Sequence, residues 1–199
     1  MEITLFGSGT SRSSRCRWTL LELGVEFEYI EGDSLIGSEE LKKMHPLGKL
    51  PAILIDGKAY FESAAICSHL CDLHPAANLI ANPGTHERAL HSQWCSFALT
   101  EIEAYLWSSF KNQQLYPAEI RIAEIVPNNT LEIRNGLEAV EKGLNGYRYL
   151  AGDSFSVTDI VVGFTLNWAK NAGHLQSFTN LSEYLQRLLE RDLCTFKGA

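Results

Sequence analysis

Pro51 stands directly before four apolar residues, Ala52-Ile53-Leu54-Ile55, and Asp56-Gly57 follows them at once. Proline has no N–H to give to a ladder, so a strand can begin after it but cannot run through it. Asp-Gly between two apolar runs is a strong hairpin signal, because both residues accept the positive φ of a tight turn. Ala59-Tyr60-Phe61 reads as the returning strand, and Ser63 to Leu73 follows as a helix. Strand start, turn, strand end and helix start are thus set within one short stretch, and the flanking residues must fit around it.

Upstream, residues 2–6 read as a strand with Ile3, Leu5 and Phe6 apolar. A Gly-Ser-Gly-Thr-Ser loop follows. Arg15–Leu23 reads as a helix capped by Ser13 or Ser14 and stopped by Gly24. Val25–Ile30 alternates apolar and acidic residues and reads as a second strand. A β-α-β unit implies parallel strands and a right-handed crossover. Ser38 to Met44 adds a short helix, capped by Ser38 with Glu39 and Glu40 in its first turn. Residues 1–75 therefore read β-α-β-α-β-β-α. The stretch from His74 to Pro83 has two prolines and two asparagines and no periodicity, which sets a linker at residues 76–85. Residues 86–199 read as all helical: His86–Asn112, Leu131–Leu144, a helix opening at Ser156, and Phe178–Leu189, with Pro117 and Pro127 bending or separating the first two. Ser156 with Asp159 resembles a capping box.

The net charge of −7 opposes nucleic-acid binding, although Arg12, Arg15 and Arg17 crowd one short stretch. No apolar run of about 20 residues is present to span a membrane. The strand-like start has no signal-peptide pattern, and five cysteines, an odd number, read as free thiols of a reducing, cytoplasmic compartment. Cys67 and Cys71, with His69 and His74 nearby, have metal-like spacing, but no second ligand pair stands out, so no metal is expected.

The chemistry concentrates on Gly48 to Ser63. If Leu50–Pro51 is cis, the Leu50 N–H and C=O turn outward, where a peptide can pair with them as a strand would; a trans proline at a strand start is the ordinary alternative. A helix N-terminus with the Ser63 hydroxyl is a carboxylate site, and Glu62 is suited to an ammonium group. A γ-glutamyl amino acid carries both groups on one carbon. Plain capping by Ser63 is the alternative for that element alone.

Together the elements resemble the glutathione site of the cytosolic glutathione S-transferases, and Leu150 to Ile160 looks like the capping-box motif of that family's helical half. The resemblance covers nearly the whole chain. It implies a thioredoxin-like N-terminal domain followed by a helical-bundle C-terminal domain, α/β plus all-α, assembled as a homodimer. It implies a cis Pro51, Leu50 on the cysteinyl backbone of glutathione, Glu62 and Ser63 on its γ-glutamyl end, and Lys49 with His45 near the glycine carboxylate. The motif at Leu150 to Ile160 is structural.

The implied reaction is attack of the glutathione thiolate on a small electrophile. A thiol pKa of about 8.5 must fall by about 2 units, which takes roughly 2.7 kcal/mol of anion stabilisation. Phe6 stands where some classes carry a tyrosine, and Cys16 lies inside the helix, too late for a cysteine-type role. Serine classes place the hydroxyl about four residues before an arginine in the first helical turn; counting back from Arg15 gives Ser11, with Thr10 as the alternative and Arg12 adding positive potential. Phe97 and Tyr105 are the candidate lining of an apolar electrophile pocket, expected in a cleft between the domains. Two rival readings of the same resemblance are a glutathione-dependent isomerase and a non-enzymatic binding protein that keeps the fold.

Overall fold

The computed structural model describes residues 1–9, 11–144 and 146–196. By internal contacts the chain divides into two units: Met1–Pro83 with the segment beginning at Leu189, and Gly84–Leu188.

The first unit holds β1 (Ile3–Gly7), α1 (Ser13–Leu23), β2 (Glu28–Glu31), α2 (Glu39–Met44), β3 (Ala52–Ile55), β4 (Lys58–Phe61) and α3 (Ser63–Leu73). The sheet order is β2-β1-β3-β4. β1 and β2 run parallel, and the β1–β3 and β3–β4 pairs are antiparallel. This is the thioredoxin-like arrangement. Asp56 (φ 48°) and Gly57 (φ 75°) make the expected tight turn.

Two boundaries differ from the sequence reading. β2 begins three residues later than the alternation at Val25 suggests, because the Val25 N–H is spent on the Leu20 carbonyl in closing α1 (3.2 Å). α1 begins at Ser13 rather than Arg15, and neither Ser13 nor Ser14 is its cap: Arg12 holds that position and makes no side-chain capping bond. Both serine hydroxyls turn back into the preceding loop instead, Ser14 Oγ donating to the Gly9 carbonyl at 2.8 Å.

The segment after Leu189 packs on α1. Arg191 makes two hydrogen bonds to the Glu22 carboxylate (2.9 and 2.8 Å), which also accepts from Trp18 Nε1 (2.8 Å). Thr195 Oγ1 donates to the Ser14 carbonyl at 2.8 Å. Phe196 is buried edge-on against Trp18, with ring centroids 4.9 Å apart.

The second unit is helical. α4 (His86–Phe97) passes through a wide π-type stretch, Ala98–Glu103, into α5 (Ala104–Phe110) and a second one, Lys111–Leu115. Then come α6 (Ile125–Leu144), α7 (Val157–Asn171) and α8 (Thr179–Leu189). α6 starts six residues before the expected Leu131 and contains Pro127, which is tolerated in a first turn where its missing N–H has no intrahelical partner. Gly136 of α6 lets the wide stretch approach: a Cβ there would meet the Glu101 carbonyl oxygen at 2.8 Å and Ile102 at 2.6 Å.

The capping box at the start of α7 is present. The buried Asp159 carboxylate accepts from Ser156 N (2.8 Å), Leu150 N (3.2 Å) and Tyr184 Oη (2.5 Å). One carboxylate thereby ties the residue before the loop, the helix start and α8 together. Burial raises the pKa of Asp159, and the bonds from Tyr184, Ser156 and Leu150 pull it back down. Burial first, and then the Asp159 charge, push Tyr184 well above its ordinary range.

Two outcomes follow. Gly136→Ala gains about 1 kcal/mol of helix propensity but overpacks against backbone, for about 1–3 kcal/mol, so the melting temperature falls by a few degrees in a thermal scan. Because Tyr184 ionises in the unfolded chain near pH 10 but later in the fold, its stabilisation is complete below pH 10 and is lost as pH climbs through the folded value. Melts between pH 9 and 11 should show a steeper decline for the parent than for Tyr184→Phe.

Candidate functional site

The strand register builds one end of the first unit's sheet. Phe6 of β1 is opposite Ala52 of β3, and Ala52 is opposite Phe61 of β4. The segments that continue past this row are the Ser8–Ser11 loop, Leu50-Pro51 and Glu62-Ser63. Three stretches far apart in sequence thus leave the sheet at the same edge. The Leu50–Pro51 bond is cis, and the β3 ladder begins one residue later at Ala52. Beneath the edge, Phe6, Leu41, Leu50 and Ala52 form a buried cluster with Ile30, Leu35, Met44 and Leu54 packed against it.

The serine loop is pinned by its own hydroxyls. Gly7 makes room for them: a Cβ there would meet Ser13 Oγ at 2.6 Å and the Tyr29 ring at 2.8 Å. Ser13, fully buried, accepts the Ser8 N–H at 3.0 Å and lies 2.9 Å from the Ser8 carbonyl. Ser11 Oγ, half-buried, lies 2.7 Å from Ser13 Oγ and 3.0 Å from the Ser8 carbonyl, and accepts the Ser13 N–H at 3.2 Å. Ser8 Oγ donates to Asp33 at 2.5 Å. Two hydroxyl protons serve Ser11, Ser13 and the Ser8 carbonyl. If Ser13 donates to Ser11, the Ser11 proton is released to point elsewhere, and the Ser8 carbonyl keeps the Ser11 N–H at 3.0 Å. Arg12 is half-buried at the N-terminus of α1. Thr10 lies outside the described residues.

At the second segment, Lys49 is exposed and Leu50 and Pro51 are buried. His45 ends α2, with its ring 5.0 Å from that of Phe61. Its Nδ1 accepts the Leu47 N–H at 3.0 Å, which requires a bare nitrogen there and leaves Nε2–H as the donor. Burial lowers the His45 pKa, the Glu62 charge opposes this and Lys49 adds to it, so the ring is neutral at pH 7.

At the third, Glu62 is exposed and holds φ 69°, ψ 107°, a conformation unfavourable for a residue with a Cβ. Ser63, 4% exposed, opens α3. Its hydroxyl accepts from Nη1 of Arg15 at 3.2 Å, and Arg15 is 0% exposed. Arg15 is a charged residue among the buried α1 residues Cys16, Trp18, Thr19 and Leu20, which is the signal in the sequence for a role inside the unit. Cys16 Sγ–H points at the Ser63 carbonyl (3.8 Å), 4.0 Å from Cys67 Sγ, and burial holds the Cys16 thiol well above its ordinary pKa. Among the described residues no group of three or more His, Cys, Asp or Glu gathers to hold a metal, and no helix is long and apolar enough to cross a membrane.

The helical unit has its own cavity of about 370 Å³, with Phe110 and Trp168 as an aromatic wall and Ser109, Gln113, Thr130 and His174 as polar groups. Phe97 packs edge-on against Trp94 in α4, and Tyr105 is half-buried in α5; neither is among the cavity's lining residues.

A serine loop, a cis proline and a helix opened by Glu-Ser thus gather at one edge of a thioredoxin-like unit, which is joined in the chain to a helical unit. Residues 5–78 match the family model for the N-terminal domain of glutathione S-transferase, and residues 123–187 match that for its C-terminal domain. A probable glutathione S-transferase of rice is 30% identical over 169 residues, covering 78% of this chain and 75% of the rice protein. A maize glutathione transferase is 29% identical over 155 residues, covering 77% of this chain; the chain spans 66% of the maize protein's length. A crystal structure of a glutathione S-transferase from Methylobacillus flagellatus with glutathione bound superposes with a TM-score of 0.83 at 21% identity, covering 98% of each chain. The chain belongs to the glutathione S-transferase family, and its activity is that of a glutathione transferase.

Glu62→Gly removes a positive-φ strain worth about 1–3 kcal/mol and adds about 0.5–1 kcal/mol of chain entropy, so the variant should melt higher than the parent. An unchanged or lower melting temperature would show that Glu62 is held without strain.

Proposed function

We propose that this protein binds glutathione along the sheet edge and delivers its thiolate to a small electrophile. The single observation that carries the reading is the register row Phe6–Ala52–Phe61, which brings the three segments out at one edge. Leu50, turned by the cis bond to Pro51, pairs with the cysteinyl backbone. Ser63 and the α3 N-terminus take the γ-glutamyl carboxylate, and Glu62 takes its ammonium group. Lys49 supplies charge for the glycine carboxylate, and neutral His45 supplies an Nε2–H donor.

Ser11 is the thiol-activating hydroxyl, with Thr10 as the alternative. Ser13 supports it from behind: once Ser13 donates to Ser11, the Ser11 proton is available to the sulfur. Arg12 adds positive potential at the helix start. A hydrogen bond to a charged group is worth about 1.5–3 kcal/mol, enough to move the thiol pKa by about 1–2 units. Phe97 and Tyr105 are the proposed lining residues for the electrophile. The working form is a cytoplasmic homodimer engaged in detoxification.

Titrating the ultraviolet absorbance of enzyme-bound thiolate and measuring the rate with chlorodinitrobenzene across pH tests this. Ser11→Ala should raise the bound thiol's apparent pKa by about 1–2 units and slow conjugation near pH 6.5 by about 10- to 100-fold, with glutathione affinity little changed. An unchanged pH profile moves the role to Thr10 or elsewhere. Failure of the parent protein to bind glutathione would sink the reading.

A further inference from the structure

We infer that Arg15 is a positioning residue that makes this site selective for the α-carboxylate of the γ-glutamyl group. The inference rests on the glutathione reading above. It starts from the direction of one hydrogen bond. Guanidinium has donors and no acceptor, so in the 3.2 Å contact between Arg15 Nη1 and Ser63 Oγ the arginine must donate and the serine must accept. A hydroxyl has one proton and two lone pairs. With a lone pair committed to Arg15, the Ser63 proton is directed away from the guanidinium, and it is polarised by the charge behind it.

The location adds a second effect. Arg15 is 0% exposed and Ser63 4% exposed, so the cation acts through protein rather than through water and is weakly screened. The hydroxyl it orients belongs to the first residue of α3, where the helix presents its unpaired N–H groups. Glu62, directly before it, holds φ 69°, which fixes the chain's entry into that turn. An anion at this helix end therefore meets oriented backbone donors, one oriented hydroxyl and a positive charge beneath them. A neutral ligand group gains little from the last two. Arg15 acts on the ligand through Ser63, and its effect is on the choice of ligand.

The test compares two ligands on three proteins. Glutathione carries the α-carboxylate; 4-aminobutyryl-cysteinyl-glycine keeps the ammonium and the rest of the peptide but lacks that carboxylate. Affinities are measured by calorimetry on the parent protein, on Arg15→Met, and on Arg15→Gln, which keeps an N–H donor without the charge. Glutathione should bind Arg15→Met about 10- to 100-fold more weakly than the parent and Arg15→Gln by an intermediate factor. The carboxylate-free analogue should bind all three within about 2-fold. A merely structural arginine would weaken both ligands alike, and that result, or unchanged glutathione affinity, overturns the inference. If the parent itself fails to bind glutathione, it is the underlying reading that falls. A measurement on the unsubstituted protein covers the case in which removing a buried arginine prevents folding. The Arg15 guanidinium resonance in ¹⁵N-arginine-labelled protein should shift on adding glutathione and stay in place with the analogue; equal responses to the two ligands overturn the inference.

Discussion

Antiparallel pairing of β1 with β3 is the constraint on which the rest of the first unit depends. β1 is the only strand bonded to both the parallel partner β2 and the hairpin strand β3, so its register decides where both halves of the sheet meet. A slip of one residue between β1 and β3 would turn every side chain of β3 to the other face. Leu50 and Ala52 would leave the buried cluster under the site edge, and the cis proline would no longer lie beside the serine loop. Packing and site geometry are therefore set by the same pairing. The apolar alternation that buries Leu5 and Ile53 also fixes where Ser63 emerges.

Charge is handled differently in the two units. In the helical unit the buried Asp159 carboxylate takes bonds from two backbone N–H groups and a tyrosine, and it serves as a junction between segments. In the first unit a single guanidinium, Arg15, is buried against a hydroxyl at a helix opening. Both obey the rule that a buried charge must be hydrogen-bonded. Asp159 is surrounded by its own chain, whereas Arg15 polarises a group whose proton is left for a ligand.

Much of this was legible in the residues. Asp56-Gly57 announced the hairpin because a tight turn of this hand admits few other pairs, and Ser156 with Asp159 announced a helix start because their reciprocal bonds are local. What escaped was non-local. Nothing near Ser13 says that its hydroxyl turns back into the loop instead of capping α1, since that depends on Gly7 lacking a side chain and on Tyr29 lying across the strand. Val25 looked like strand because its neighbours alternate, yet its N–H was already committed to closing a helix. The wide turns after Phe97 were not legible in the apolar spacing, because a π-type stretch shifts the helical register without changing which residues are apolar. Arg15 was visible as a residue and invisible as a neighbour of Ser63, because only the packing of α1 on α3 joins them.

The clasp of Thr195, Phe196 and Arg191 on α1 has a consequence for how the molecule comes into being. Trp18 precedes the whole helical unit in sequence, and the ring that covers it follows that unit. Burying a phenylalanine is worth about 1.5–3 kcal/mol relative to leaving it exposed, and the bonds to Glu22 and the Ser14 carbonyl add to that. Throughout synthesis of the helical unit, the first unit exists with one face of α1 open to solvent. It reaches its final stability only when the segment beyond the helical unit is in place, so its maturation waits on the synthesis of that unit and not only on the folding speed of its own sheet.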